Sequence, residues 1–223
     1  MASRHEKMTR LWKVMPGAGA VLLLCALPLA AQNAAPIDTM GLGSGRYATM
    51  EMLFERTFLR VDVMRLTLRF DPATEEALQT RIEAQNGATT ADAVADIALE
   101  STDVMVRGVF LRNVSLSQFL DGLLTNLTNA QKAGLVTEEE FRKIEADVKV
   151  QYEPLRERGL HNGDTMWYRV SGDSLHVVVQ ASDGQILIEQ RVVGPERRRA
   201  VLGGYLAPGS EFRGGLIRSV LAT

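Results

Sequence analysis

Cysteine is all but absent from this chain: among 223 residues Cys25 is the sole example, and it lies within the first 31. Beyond that segment there is no thiol to oxidise, no disulfide to form and no thiolate to hold a metal. Histidine is nearly as scarce. His161 falls in a turn and His176 in a strand-like run, and neither stands beside a cluster of acids, which argues against a metal site or a Ser/His/Asp triad. No motif asks for a cofactor. Positive charge is not in excess either, with 25 Lys and Arg against 27 Asp and Glu, so nothing points to nucleic acid as a partner. A membrane-spanning run is missing too. Val14 to Ala31 is 18 residues long and contains Pro16, Gly17, Gly19 and Pro28, short of the ~20 apolar residues a spanning helix needs.

What those first residues do resemble in composition is a secretory signal. Arg4, Lys7, Arg10 and Lys13 make a positive start, Ala18 to Leu29 an apolar middle, and Leu29-Ala30-Ala31 a small-residue cleavage site before Gln32. Residues 1–31 are therefore expected to be a signal peptide, placing the protein in the periplasm or outside the cell, with no stable membrane span after cleavage. A lipid anchor on Cys25 is disfavoured, because Leu24 stands where a lipoprotein signal carries a small residue. Cleavage would leave 192 residues, enough for one domain with its own core. Without Arg4, Lys7, Arg10, Lys13 and Glu6 the charged residues number 21 basic and 26 acidic, a net charge of −5.

Residues 32–45 are rich in Ala, Pro and Gly and read as a flexible leader. The GLGSG within them follows polar linker and precedes a strand-like run, whereas a phosphate-cradling loop follows a strand and opens a helix. The domain is expected over 46–223. Tyr47 to Phe70 alternates with a period of two, placing Asp62, Met64, Leu66, Leu68 and Phe70 on one face and Met50, Met52, Phe54 and Phe58 on a similar row. At 24 residues it is too long for one strand of ~3–10, so a hairpin is expected, turning between Glu55 and Arg60. Asp71-Pro72 opens a helix that Asn86-Gly87 stops, and a second short helix covers Thr90 to Glu100. Val104 to Leu111 returns to strand. Ser115-Leu116-Ser117-Gln118 and Thr137-Glu138-Glu139-Glu140 are capping boxes, each followed by a stripe of apolar residues; Gly134 ends the first helix, and in the second Pro154 is expected to kink or end the helix before Gly159 closes it. Three strands follow, over Thr165 to Val170, Leu175 to Gln180 and Ile186 to Val193, and two helices finish the chain. The order ββαα, β, αα, βββ, αα predicts an α+β fold, an antiparallel sheet with helices packed on one face.

RGVFLRNVSLSQFLDGLLTNL (107–127), the acidic helix ending at Gly159, the strand LHVVVQ and the terminal GGYLAPGSEFRGGLIRSVL together resemble the chalcone isomerase-like family, in order and spacing, from Tyr47 to Leu221. The resemblance implies an open-faced sandwich. It also implies one of two activities, since the family holds isomerases that close a flavonoid ring and non-catalytic members, some of which bind fatty acids. The isomerases use an Arg, a Thr, a Tyr and an Asn; by this resemblance Asn126 stands at the Asn position, Phe119 at the Tyr, Asp62 at the Thr, and Met50 near the Arg. Phe119 cannot donate to an oxyanion, Met50 carries no charge and Asp62 would repel a phenolate, so the electrostatic stabilisation this chemistry needs is missing. The same lack of an Arg leaves a fatty acid carboxylate without its clamp.

The leading expectation is therefore a secreted, non-catalytic domain binding a small apolar ligand such as a fatty acid. Two alternatives stand beside it: an intramolecular lyase or isomerase with Asp62 as base, and a pocketless protein-interaction module whose partner the sequence does not name. The candidate ligand-binding residues are Arg56, Asp62, Phe119 and Asn126. A carboxylate on a buried face is costly unless paired, and a hairpin could set Arg56 against Asp62; the pair would read a polar group on an apolar ligand, or else sit at a solvent edge. Glu196-Arg197-Arg198-Arg199 reads as the solvated face of a short helix. Of Trp167 and Tyr168, which alternate across a strand, one is expected in the core. The sequons at Asn113 and Asn126 are taken as coincidence.

Overall fold

The computed structural model describes residues 36–56, 61–84 and 89–222, without the side chains of residues 56, 61 and 62. The expected signal peptide, the hairpin turn after Arg56 and the Asn86-Gly87 stop lie outside the described residues. From residue 35 onward the chain forms one compact unit. No described helix is long and apolar enough to cross a membrane.

Six strands, β1 (Thr49–Arg56), β2 (Val61–Phe70), β3 (Asp103–Phe110), β4 (Thr165–Ser171), β5 (Ser174–Gln180) and β6 (Ile186–Val193), form one sheet in sequence order, every neighbour antiparallel. Among the described residues six α-helices accompany them: α1 (Pro72–Ala84), α2 (Ala91–Leu99), α3 (Leu116–Lys132), α4 (Glu138–Gln151), α5 (Pro195–Leu206) and α6 (Arg213–Leu221). The expected element order is the observed one. An antiparallel neighbour must begin at the end of the sheet where its predecessor stopped. The two-helix connection between β2 and β3 meets this, since Val104 pairs with Phe70.

Caps and periodicity explain the elements locally. The Ser115 hydroxyl accepts from the Gln118 amide while the Gln118 side chain accepts from the Ser115 amide, and Thr137 and Glu140 repeat the arrangement for α4. Gly159 takes a left-handed φ of 67° and lies where a Cβ would stand 2.6 Å from the Val114 carbonyl oxygen, so only glycine lets the chain after α4 pair with the strand–helix junction at Val114. On the inner face Leu66, Leu68, Phe70, Val104, Val106 and Val170 are fully buried, packed in one cluster with Leu78, Val94, Leu202 and Leu216 of the helices.

Three details depart from expectation. The outer face of the sheet is not bare: Met105, Trp167 and Val178 form a second cluster with Ile37, which is only 3% exposed. The stretch expected as a flexible leader is therefore packed structure from Ile37, pinned by Arg169 on the Asp38 and Met40 carbonyls, by Arg69 on the Gly43 carbonyl, and by the Gly43 amide on that of Phe70. Second, Trp167 and Tyr168 are both buried, one in each cluster. Third, Glu196-Arg197-Arg198-Arg199 is not a solvated face. Glu196 and Arg197 are buried, pairing with Lys143 and Asp147, while Arg198 donates to the Glu100 and Ser101 carbonyls and Arg199 to the Leu135 carbonyl and Glu140. The run clamps the start of α5 to α4 and to the turn after α2.

Candidate ligand-binding site

The capping box at Ser115 starts α3 directly after β3, and its apolar stripe lies over the inner face of the sheet. The covering is incomplete. Beneath α3, a cavity of about 360 Å³ opens between Val63 and Met64 of β2, Phe110 of β3, Met166 of β4, the helices α3 and α5, and Phe212 at the N-cap of α6. That volume lies within the ~300–1,000 Å³ of small-molecule sites. Two absent side chains shape it. At Gly108 a Cβ would stand 2.6 Å from the Met64 sulfur, so glycine lets the Met64 and Met166 side chains spread across the floor. At Gly122, on α3, a Cβ would meet nothing within 4 Å, so the helix leaves open space where a larger residue would fill it.

The walls are aromatic. Phe54 and Phe212 stand with centroids 4.6 Å apart, Tyr205 packs edge-on to Phe212 at 5.3 Å, and Phe119 lies edge-on to both Phe110 and Tyr152. Polar groups are few: Arg112, Gln118, Asp121, Asn126 and Tyr205. Arg112 has no ion-pair partner among the described residues.

Leu123, Asn126 and Tyr205 also border a second, smaller recess of about 80 Å³. The recess is flanked by Gln151 and by Tyr152 and Tyr168, whose hydroxyls share one hydrogen bond of 2.8 Å. Burial pushes the Tyr152, Tyr168 and Tyr205 phenols above their ordinary range, so all three are neutral hydroxyls at physiological pH. Asn126 is held by close approach of α5: a Cβ on Gly204 would lie 3.1 Å from the Asn126 Cβ.

Two of the four candidate residues, Phe119 and Asn126, line the cavity. The side chains of Arg56 and Asp62 lie outside the described residues. Their backbones are not directly opposite, for Arg56 pairs with Val61 and Asp62 with Glu55, after an irregularity beside Phe54 that leaves Val63 without a partner in β1. The period of two is broken at Val63, which reaches the cavity beside Met64. Met50 is fully buried and outside the cavity lining. The cation at the site is instead Arg112, in the short junction between β3 and α3. One signal for it was present in the sequence, a lone Arg between an apolar strand and a capped helix. Tyr205 had no such signal. The pocketless alternative does not describe this interior.

No protein-family model matches the chain, and no curated protein matches it. Among solved structures a fatty-acid binding protein of Arabidopsis thaliana is similar, with a TM-score of 0.52 at 9% identity, over 79% of this chain and 87% of that one. The fold is chalcone isomerase-like. At 9% identity the likeness is one of architecture, so what each residue does is argued from its own surroundings. In this chalcone isomerase-like sandwich the helices close one face of the sheet, and the cavity lies where that closure is incomplete, under Gly122.

Proposed function

We propose that the protein is a secreted, non-catalytic carrier that holds a small lipid-like acid, such as a fatty acid, in the cavity between sheet and α3. The observation that carries this is the cavity itself: about 360 Å³, walled by aromatic and aliphatic side chains, with Arg112 bordering it. Apolar surface would drive the tail in, and a guanidinium would hold a carboxylate by charge-assisted hydrogen bonds. The fatty-acid binding of the similar Arabidopsis protein agrees with this ligand class. Phe119, at the position where the isomerases carry a Tyr, has no proton to donate, which favours binding over chemistry. The composition of residues 1–31 supports a periplasmic or extracellular site of action.

The test is native mass spectrometry of the protein purified from its own host, followed by displacement of a fluorescent fatty acid from the delipidated protein. A co-purified acid and saturable displacement by C10–C16 acids are expected. No bound small molecule in repeated preparations, together with no displacement, would end the proposal.

A further inference from the structure

The recess bordered by Asn126 and Tyr205 holds polar groups that the described residues leave without partners. Three phenols border it, Tyr152, Tyr168 and Tyr205. One phenol hydrogen is consumed in the Tyr152–Tyr168 bond. The other two have no acceptor among the described residues, because Tyr205 makes no hydrogen bond there and the tyrosine pair makes no other. Gln151 is 9% exposed, and its buried Nε2 lacks a partner among the described residues. Asn126, bordering both recess and cavity, likewise makes no side-chain hydrogen bond among the described residues. Donors without acceptors are unfavourable once water is excluded from them. A hydrocarbon tail passing Asn126 would displace water and leave them so. An oxygen atom arriving there would satisfy them.

We infer that the ligand is an acyl-chain acid carrying a second oxygen function, a hydroxyl or ketone near the end remote from the carboxylate, which the Tyr205 hydroxyl, the free hydrogen of the Tyr152–Tyr168 pair and the Asn126 amide receive. The inference rests on the acid-binding function proposed for the same cavity, with Arg112 at the carboxylate end. A ketone, which only accepts, and a hydroxyl, which can also accept, can each receive these donors. A saturated acid of equal length lacks the acceptor and leaves the donors unpaired.

The experiment is calorimetric titration of the purified, delipidated protein with saturated acids of ten to sixteen carbons, each beside its terminal-hydroxy and penultimate-keto counterparts. At the best-fitting length both oxygenated acids should bind about tenfold more tightly than the saturated one, the scale of one satisfied buried group. Tyr205→Phe, which keeps the ring, should bring that ratio to within about twofold. If that variant's thermal melt shows loss of fold, Tyr168→Phe is read for the same ratio. Equal affinities for oxygenated and saturated acids at every length, or a preference that survives these variants, would overturn the inference while acid binding itself stands. Failure of every acid to bind would overturn both.

Discussion

Gly203 and Ala130 meet where α5 crosses α3: a Cβ on Gly203 would stand 2.8 Å from the Ala130 Cβ. This contact, one turn from Asn126 and Gly204, sets how closely α5 approaches α3 beside the cavity. The same substitution therefore has opposite signs at two glycines. Gly203→Ala should destabilise by ~1–3 kcal/mol, since the crossing has no room. Gly122→Ala, in the interior of α3 with open space around its Cβ, should stabilise by ~0.5–1 kcal/mol through helix propensity alone. Urea unfolding of the two variants beside the parent reads both.

Filling the cavity from α3 should separate folding from binding. Gly122→Phe puts a ring into space where a Cβ meets nothing within 4 Å, so the urea midpoint should hold or rise while fatty acid displacement falls at least about tenfold. Retained affinity would mean that the ligand lies elsewhere.

Arg112→Gln should weaken fatty acid binding about tenfold, the order of one charge-assisted hydrogen bond. The loss should be smaller for the methyl ester, which carries no charge. Equal loss for acid and ester would assign Arg112 a packing role.

Asp164 is fully buried, and its carboxylate accepts from Arg158 and from the His161 and Ser182 amides. Burial pushes this carboxyl up, but the Arg158 guanidinium and the two amides outweigh it and hold it below its ordinary value of 3.8. A depressed folded pKa means that the stabilisation is fully present above about pH 4 and is lost as pH falls through the lower, folded value. Asp164→Asn should cost ~2–4 kcal/mol at pH 7, with Arg158 partly solvated, and the gap to the parent should narrow below pH 4 in denaturant titrations.

Ile37 covers Trp167, Met105 and Val178 on the outer sheet face. Ile37→Ala should cost ~2–4 kcal/mol, and removing everything before Arg46 should shift the Trp167 fluorescence to the red. A chain in which residues 36–45 are only a tether would show neither.

How much was legible in advance differs by kind of feature. The order of strands and helices followed from periodicities and caps, such as the alternation through Leu66 and Phe70 and the two capping boxes, because these act over a few neighbouring residues. Phe119 and Asn126, which line the cavity, were singled out because they share a recognisable strand–helix segment. Arg112 was passed over: its one signal, a lone Arg between an apolar strand and a capped helix, gains meaning only from the cavity beside it. The run from Glu196 to Arg199 misled in the opposite direction, since charges on a short helix look solvated until α4 and the turn after α2 close over them.

The amino-acid sequence by itself determined the α+β architecture, the capped starts of α3 and α4 and the apolar inner face of the sheet, all consequences of local backbone preference and of which residues avoid water. Only the tertiary structure decided the site. The cavity is a difference between packed volumes, set by Gly108, Gly122, Gly203 and Gly204 at separations too long for any local pattern to register, and the tyrosines of its recess meet only after α4, β4 and α5 have folded against one another.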